Sequence, residues 1–242
     1  MPAAGAPARA GWRVARLAAR DDQTATGRTL RFELPGWPGH RPGQHVDVRL
    51  TADDGYQAVR SYSLAAPADG DVIELGVQEA ADGEVSPYLA DALPVGAEVE
   101  IKGPLGGWFV WTPPGPGPLL LFGGGCGVVP LVAMLRARRA AAADPEPCVL
   151  LYSVRGPDEV WYAKDLTEPG HPEDIRLLYT RRAPAGHARR PGRVTADDLA
   201  DLPAPGAAHC YVCGPTGFVE HVADLLQDAG YPRDRIRTER FG

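Results

Sequence analysis

The architecture of the second half of the chain follows from one segment, Gly123-Gly124-Gly125-Cys126-Gly127-Val128-Val129-Pro130. An apolar run from Leu119 to Phe122 precedes it, and a helical pattern from Leu131 to Arg136 follows it. A strand, a glycine turn and a helix in this order place backbone N–H groups at a helix N-terminus, where they can hold a phosphate group. Glycine permits the sharp turn and the close approach of a ligand, and Pro130 suits the first helical position. Read from Gly125, the pattern is G-x-G-x-x-P rather than the dinucleotide fingerprint G-x-G-x-x-G.

Strands and helices alternate throughout this half. The predicted strands cover residues 119–122, 148–153, 175–180, 208–213 and 236–239, and the predicted helices cover residues 130–141, 158–166, 195–199 and 216–229. The alternation predicts a doubly wound parallel sheet that binds its ligand at the carboxyl ends of the strands. Functional residues are therefore expected where the strands end, in the segments 123–127, 153–155, 180–182 and 213–215.

The first half has a different periodicity. Short segments of alternating apolar and polar residues cover residues 12–17, 29–34, 44–50, 72–77 and 98–101, and turns such as Asp53-Asp54-Gly55 separate them. This pattern predicts an antiparallel β-barrel. One helix, from Ser86 to about Leu93, interrupts it, with Ser86 as the predicted N-cap and Pro87 at the first helical position. This helix start, close to Gly83, is a second candidate phosphate site.

A Pro/Gly run from Thr112 to Pro118 separates the two halves and is typical of a linker. We therefore predict a β-barrel domain over residues 1–112, with its ordered core at 12–112, a linker over 113–118 and an α/β domain over 119–242. Residues Met1 to Gly11 are small and Pro-rich without an apolar segment, so they predict a short frayed start and no signal peptide.

Composition narrows the class of protein. The chain has 242 residues, of which 44% are hydrophobic and 23% are charged, as in an ordinary soluble protein. The net charge of -6 argues against a general nucleic-acid binder, and no apolar run approaches the length of a membrane span. The four cysteines do not suggest a disulfide framework, which indicates a reducing cytoplasm.

Cys210 and Cys213 have the C-x-x-C spacing of a redox dithiol or of half a zinc site. Their segment is typical of a strand, and an odd separation along a strand puts the two thiols on opposite faces. No second C-x-x-C is present to complete a tetrahedral site, and the six histidines lack metal-ligand spacing. Neither a dithiol nor a metal site is therefore expected.

The order of five short motifs resembles that of the ferredoxin–NADP reductase superfamily, over residues 12–242. In chain order these are Arg60-Ser61-Tyr62-Ser63, which matches the flavin motif R-x-Y-S, Gly83-Glu84-Val85-Ser86, which matches the second flavin segment, the glycine loop from Gly125 to Pro130, the C-G-P motif Cys213-Gly214-Pro215, and Glu239-Arg240-Phe241-Gly242, which is similar to the chain ends of bacterial members.

The resemblance implies an FAD site. Arg60 would offer a charged fork to the pyrophosphate, Tyr62 would pack against the isoalloxazine ring, and Ser63 would bond near its reactive nitrogen. A Ser at position 86, cradling the same pyrophosphate, favours FAD over FMN. The implied FAD-binding residues are Arg60, Ser61, Tyr62, Ser63, Val77, Gly83, Val85, Ser86 and Phe241, and the implied catalytic residues are Ser63, Cys213 and Glu239. Cys213 would lie where hydride passes between the nicotinamide and the flavin.

The resemblance also implies a nicotinamide site at Gly124, Gly125, Gly127, Pro130, Ser153, Arg155, Thr180, Arg181, Cys213, Gly214 and Pro215. An NAD site of this type usually has an acid at the end of the second strand, but residues 152–155 contain none. Thr180-Arg181 resembles the Ser/Thr-Arg pair of NADP users, and Arg181 could bind a 2′-phosphate. The sequence therefore favours NADPH and leaves NADH open.

The function implied is that of a flavoprotein reductase. Hydride would pass from NADPH to bound FAD, and electrons would pass on to a ferredoxin, a cytochrome P450, an oxygenase component or a small molecule. The acceptor is expected to be separate, because the sequence lacks the C-x4-C-x2-C spacing of an iron–sulfur centre. Two alternatives stay open: a reductase that uses free flavin as its substrate, and a non-catalytic flavin- or nucleotide-binding subunit. A monomer is expected.

Overall fold

The computed structural model describes residues 11–141 and 146–241. Gly242 and nearly all of the segment predicted to be frayed therefore lie outside the described residues. The first sheet has six antiparallel strands in the order β4-β3-β6-β1-β2-β5. Their bounds are β1 Trp12–Thr24, β2 Gly27–Glu33, β3 His45–Thr51, β4 Gln57–Ser63, β5 Val72–Gln78 and β6 Glu98–Leu105.

The barrel forms because its strands alternate. In β1 and β2, side chains such as Leu17, Leu30 and Phe32 are fully buried, whereas the residues between them are wholly or partly exposed. Burial of these apolar side chains stabilises the sheet against the helical segment that closes one end. The strand β4 is absent from the alternating segments predicted above, because only Ala58 and Tyr62 are buried in it.

The segment predicted as a capped helix differs in detail. It contains a π-helix over Tyr88–Ala92, and Ser86 does not act as a helix cap. The Ser86 hydroxyl instead accepts a hydrogen bond from the Ala80 N–H at 3.0 Å. The prediction of an N-cap at Ser86 is wrong because the turn over residues 80–83 uses this oxygen first, and the side chain is buried there.

The second sheet is parallel and has the order β11-β10-β7-β8-β9. Its strands are β7 Leu119–Gly124, β8 Cys148–Val154, β9 Asp174–Tyr179, β10 His209–Pro215 and β11 Ile236–Phe241, and its helices are α1 Val128–Ala140, α2 Ala163–Thr167 and α3 Thr216–Asp228. The helices α1 and α3 cover opposite faces, since their buried residues belong to two separate clusters. The predicted two-domain fold, a barrel followed by a doubly wound sheet, is confirmed.

Two predicted helices have different bounds. A 3-10 turn over Gly125–Gly127 comes first and α1 begins at Val128, so Pro130 is the third helical residue, a position where the helix still needs no backbone N–H donor. The helix predicted over residues 158–166 is replaced by a 3-10 helix, Pro157–Glu159, and by the short α2. Between them Tyr162 has a left-handed φ of 52°, because Trp161 and Tyr162 turn to pack on the barrel.

Several side chains connect the two sheets. Arg136 on α1 donates to Glu74 of β5 at 2.5 Å and to Asp165 of α2 at 2.8 Å. The Tyr211 hydroxyl of β10 donates to the Val110 carbonyl at 2.9 Å. These contacts fix the parallel sheet against the barrel. In the described part of the chain, no helix has the length and apolar character needed to cross a membrane.

Candidate active site

The glycine loop after β7 forms a tight cradle. Gly125 has a φ of 55°, which favours glycine, and a Cβ placed on it would meet open space. Gly127 lies against β10, where a Cβ would come within 2.3 Å of the Cys213 carbonyl oxygen. The loop therefore has one side packed against the neighbouring strand and one side open, as a backbone phosphate site requires.

The parallel register brings most of the predicted nicotinamide residues to one edge of the sheet. Gly123 pairs with Cys213, and Gly124 pairs with the buried Ser153. The Thr180 N–H donates to the Val154 carbonyl at 2.8 Å and the Arg181 N–H donates to the Arg155 carbonyl at 3.1 Å, which carries the pairing of β8 and β9 past their last residues. Gly214 and Pro215 end β10 at the same edge, while Pro130 is buried one turn inside α1.

Two acidic residues that the sequence analysis missed reach this edge. The 3-10 helix Pro157–Glu159 directly follows β8, and its Glu159 carboxylate accepts a hydrogen bond from Arg155 at 2.8 Å. Asp158 accepts one from Arg182 at 2.6 Å. The predicted Arg181 is exposed beside these pairs. A sequence signal existed, since Pro157 allows a short helix that would turn Asp158 and Glu159 back towards the strand end.

A second group forms where the parallel sheet meets the barrel. Glu239 of β11 pairs in register with Cys213 of β10. The Glu239 carboxylate lies 3.7 Å from Nδ1 of His45, and His45 is paired with Ser63 at the end of β4. The three predicted catalytic residues are therefore brought together through His45, which the sequence analysis missed. The turn at residues 53–55 was the available signal, because a hairpin centred there pairs His45 with Ser63.

Burial changes the proton affinities in this group. Desolvation raises the pKa of Glu239 to about 7, and its Oε2 atom is buried without a hydrogen-bond partner among the described residues. Desolvation lowers the pKa of His45, against a smaller opposing effect of Asp47. When the pair carries one proton near neutral pH, the carboxyl group therefore holds it in preference to the imidazole. Desolvation also raises the pKa of the Cys213 thiol, so this group is a packing surface rather than a thiolate.

The barrel contributes β4 as the candidate flavin strand. Arg60 is exposed, and its guanidinium donates to the neighbouring Val59 carbonyl at 2.8 Å. The Ser61 hydroxyl donates to Asp47 at 2.7 Å, and Ser63 is half-buried at the strand end. Tyr62 lies among the buried barrel residues, which raises the pKa of its hydroxyl to about 12. Arg60 and Ser63 are therefore accessible, and Tyr62 is held by its packing.

The second flavin segment lies near the start of β4. A Cβ on Gly83 would come within 2.9 Å of the Ser86 hydroxyl, so this turn is closed by close packing. Val85 and Val77 are buried in the barrel core and serve as its support. Tyr56 donates to Glu84 at 3.1 Å, and a cavity of about 620 Å³ is lined by Tyr56, Glu84 and Tyr88, among others.

The two thiols of the C-x-x-C segment point to opposite faces of β10. Cys210 belongs to the core cluster under α3, and Cys213 belongs to the cluster under α1. The four cysteines, all within the described residues, form no disulfide. Cys213 therefore faces the junction of the two sheets, whereas Cys210 is a core residue.

These features fit a flavin and a nicotinamide nucleotide. The cradle at Gly127 suits a pyrophosphate, and the unpartnered buried Oε2 of Glu239 marks a polar position at the junction of the sheets. An antiparallel barrel beside a doubly wound sheet with such a junction defines a two-domain flavin- and nicotinamide-dependent oxidoreductase. Family models agree: an oxidoreductase FAD-binding domain matches residues 15–110, and an oxidoreductase NAD-binding domain matches residues 121–224.

Three similar proteins have informative names. The ferredoxin reductase component of 3-ketosteroid-9-alpha-monooxygenase from Rhodococcus rhodochrous is 30% identical, over 91% of this chain and 62% of its own. The ferredoxin–NAD(P)(+) reductase component of naphthalene 1,2-dioxygenase/salicylate 5-hydroxylase systems from a Ralstonia species is 30% identical, over 93% and 67%. The crystal structure of an Amycolatopsis cytochrome P450 reductase has a TM-score of 0.79 at 28% identity, over 96% of this chain and 71% of its own.

The chain belongs to the ferredoxin reductase family of the ferredoxin–NADP reductase superfamily. It spans 62% of the length of the Rhodococcus relative and 67% of the length of the Ralstonia relative.

Proposed function

We propose that this protein is a flavoprotein reductase that takes electrons from a nicotinamide nucleotide, with NADPH as the reductant favoured by Thr180-Arg181, and passes them from bound FAD to a separate redox partner. The observation that carries the proposal is the junction at Glu239. There the strand end of the nucleotide domain lies 3.7 Å from His45 of the barrel, beside the end of the flavin strand. A nicotinamide bound at one sheet and a flavin bound at the other would meet at this junction.

FAD and the nicotinamide supply the electron-transfer chemistry when they are bound. On the barrel, Arg60 and the N–H groups around Ser86 bind the FAD pyrophosphate, and Ser63 orients the ring by a hydrogen bond. On the α/β domain, the loop Gly124–Gly127 binds the nucleotide pyrophosphate. Cys213 is buried and stays a neutral thiol because desolvation raises its pKa, so it would exclude water and pack beside the nicotinamide.

Glu239 and His45 hold a proton at the junction. Because the pKa of Glu239 is raised to about 7 and that of His45 is lowered, the carboxyl group can donate or accept a proton near neutral pH. Phe241 follows Glu239 on the same face of β11 and is partly exposed, so it would cover the flavin from outside. The Glu239–His45 pair would thus serve proton transfer, and Phe241 would shield the flavin.

The electron acceptor is proposed to be a protein. Relatives named as reductase components of oxygenase systems make a ferredoxin, an oxygenase component or a cytochrome P450 the candidate partners. The cytoplasm, where reduced nicotinamide nucleotides are available, is the proposed compartment.

The test is a visible spectrum of the gel-filtered protein, taken without oxygen before and after one equivalent of NADPH or NADH. Retained flavin that bleaches with either nucleotide supports the proposal. A colourless protein that oxidises NAD(P)H only when free FAD or riboflavin is added in excess would indicate that flavin is a diffusible substrate. Retained flavin that neither nucleotide reduces would contradict a catalytic role.

A further inference from the structure

Residues 152–155, at the end of β8, contain no acidic residue, but two acidic side chains from the segment that follows lie beside this strand end. In dinucleotide-binding folds, a carboxylate at the end of the second strand binds the ribose 2′-OH, whereas an arginine there accommodates a 2′-phosphate. The 3-10 helix Pro157–Glu159 returns two carboxylates to this place. Glu159 lies 2.8 Å from Arg155, and Asp158 lies 2.6 Å from Arg182.

The arginines on these two strand ends are therefore not equivalent. The Arg182 and Asp158 side chains cover Gly156 so closely that a Cβ there would lie 2.9 Å from an atom of each. Arg155 is likewise engaged by Glu159, whereas Arg181, whose backbone N–H donates to the Arg155 carbonyl at 3.1 Å, stays exposed. Of the three arginines that directly follow β8 and β9, Arg155, Arg181 and Arg182, two are paired with carboxylates before any nucleotide arrives.

This balance matters for a nucleotide that carries an additional phosphate. A 2′-phosphate is bound most strongly by unengaged guanidinium forks and is repelled by carboxylates nearby. Both ion pairs are open to solvent, with side-chain exposures of 60% for Arg155 and 35% for Glu159, and of 67% for Arg182 and 65% for Asp158. Pairs of this kind contribute little to folding stability, so these carboxylates can be changed without loss of the fold.

We propose that Asp158 and Glu159 are specificity-determining residues that oppose binding of the 2′-phosphate, by engaging Arg182 and Arg155 and by repelling the added charge. The proposal rests on the proposed function and deepens it, because it assigns the discrimination between NADPH and NADH to opposing charges beside the 2′ position of the nucleotide. Arg181 favours the phosphate, and the two carboxylates disfavour it.

The experiment measures binding of two fragments that differ only in the 2′-phosphate, adenosine 2′,5′-bisphosphate and 5′-AMP, by calorimetry on the FAD-containing protein. The variants are Asp158→Asn, Glu159→Gln and the double variant. Asp201→Asn is the matched control, because Asp201 is an exposed carboxylate that also pairs with an arginine, Arg176 at 2.6 Å, but Arg176 lies near the start of β9 rather than at its carboxyl end. A parallel measurement compares kcat/KM for NADPH and NADH in each variant.

The double variant should raise the affinity ratio of bisphosphate to 5′-AMP by about tenfold, each single variant by less, and the control should leave it unchanged. The kcat/KM ratio of NADPH to NADH should rise in parallel. An unchanged or lowered ratio in folded variants overturns the inference while leaving the proposed function intact. Failure of the wild type both to bind 5′-AMP and to bleach with NAD(P)H would instead overturn the proposed function, and the inference with it.

Discussion

Glu239 places a carboxyl group where its charge is unfavourable. Its side chain is 25% exposed, one of its oxygens has no hydrogen-bond partner, and its pKa is raised to about 7 by desolvation. In the unfolded chain the same group titrates near 4.5. The folded protein therefore keeps a proton that the unfolded chain releases, and its stability becomes linked to pH.

The sign of this linkage is fixed. The stability contributed by protonated Glu239 is fully present below the unfolded pKa and is lost as pH rises to about 7, and it is constant above that value. We expect the FAD-free wild type to lose up to about 3 kcal/mol relative to Glu239→Gln between about pH 5 and about pH 8. Urea unfolding of both proteins across this range measures it, and parallel curves would contradict the shift. The lowered pKa of His45 acts in the opposite direction, so the stability of His45→Asn should fall more steeply with rising pH than that of the wild type.

Arg181 allows a separate test of nucleotide recognition. If it binds the 2′-phosphate, Arg181→Ala should raise KM for NADPH by about tenfold or more and KM for NADH much less, because only NADPH carries the additional charge. Steady-state kinetics with both nucleotides and an artificial acceptor such as ferricyanide decide the matter. Equal effects on the two KM values would remove the assignment.

For single residues, the sequence predicts the place of a side chain on its own strand better than the contacts that the side chain makes with other strands. The opposite orientation of Cys210 and Cys213 follows from the period of a strand and is confirmed by their two core clusters. The roles of Ser63 and Arg60 stay predictions. His45 was missed because its contact with Glu239 joins positions that are far apart in the chain. Such a contact depends on how two sheets pack, which no local pattern encodes.

At the scale of elements, the glycine loop is limited by its neighbour. A Cβ on Gly127 would lie 2.3 Å from the Cys213 carbonyl oxygen and 2.5 Å from its carbon, so Gly127→Ala must push the loop away from β10. We expect a loss of about 1–3 kcal/mol in stability and a marked slowing of flavin bleaching by NAD(P)H, with FAD retained. Rapid-mixing spectroscopy measures the rate. Gly206→Ala is the control, since its Cβ would meet no atom within 4 Å, and identical rates in both variants would contradict a tight loop.

Strands and long helices were predictable, and short segments that pack on the other domain were not. The strands β7 to β11 were predicted from short apolar runs, and the helices α1 and α3 from the helical patterns that lie between those runs. The segment after β8 satisfies a helical pattern locally, but Trp161 packs against Gly27 of the barrel, and the Tyr162 N–H donates to Gln23 at 2.9 Å. These tertiary contacts override the local preference and divide the segment into two short helices.

At the scale of the molecule, Arg136 joins the two domains. Its guanidinium contacts Glu74 on the barrel and Asp165 in the α/β domain, and its side chain is 23% exposed. Removing it leaves two partly buried carboxylates facing each other, so Arg136→Met should lower the free energy of unfolding by about 2–4 kcal/mol. Urea denaturation measures the loss.

A control separates the interface from charge removal in general. Arg31→Met breaks a solvent-exposed ion pair with Asp21, both of whose residues belong to the barrel domain. It should lower the free energy of unfolding by less than about 1 kcal/mol. In the wild type, we also expect tryptophan fluorescence and far-ultraviolet circular dichroism to report the same, coincident unfolding transition. Similar losses in Arg31→Met and Arg136→Met would show that the domains do not depend on this contact.

The end of β11 has a practical consequence. This strand runs parallel to β10 and carries Glu239 and Phe241 to the junction with His45, so residues appended beyond it would emerge beside that junction. If the proposed redox protein docks at this junction, an affinity tag or reporter fused beyond β11 would compete with it for space.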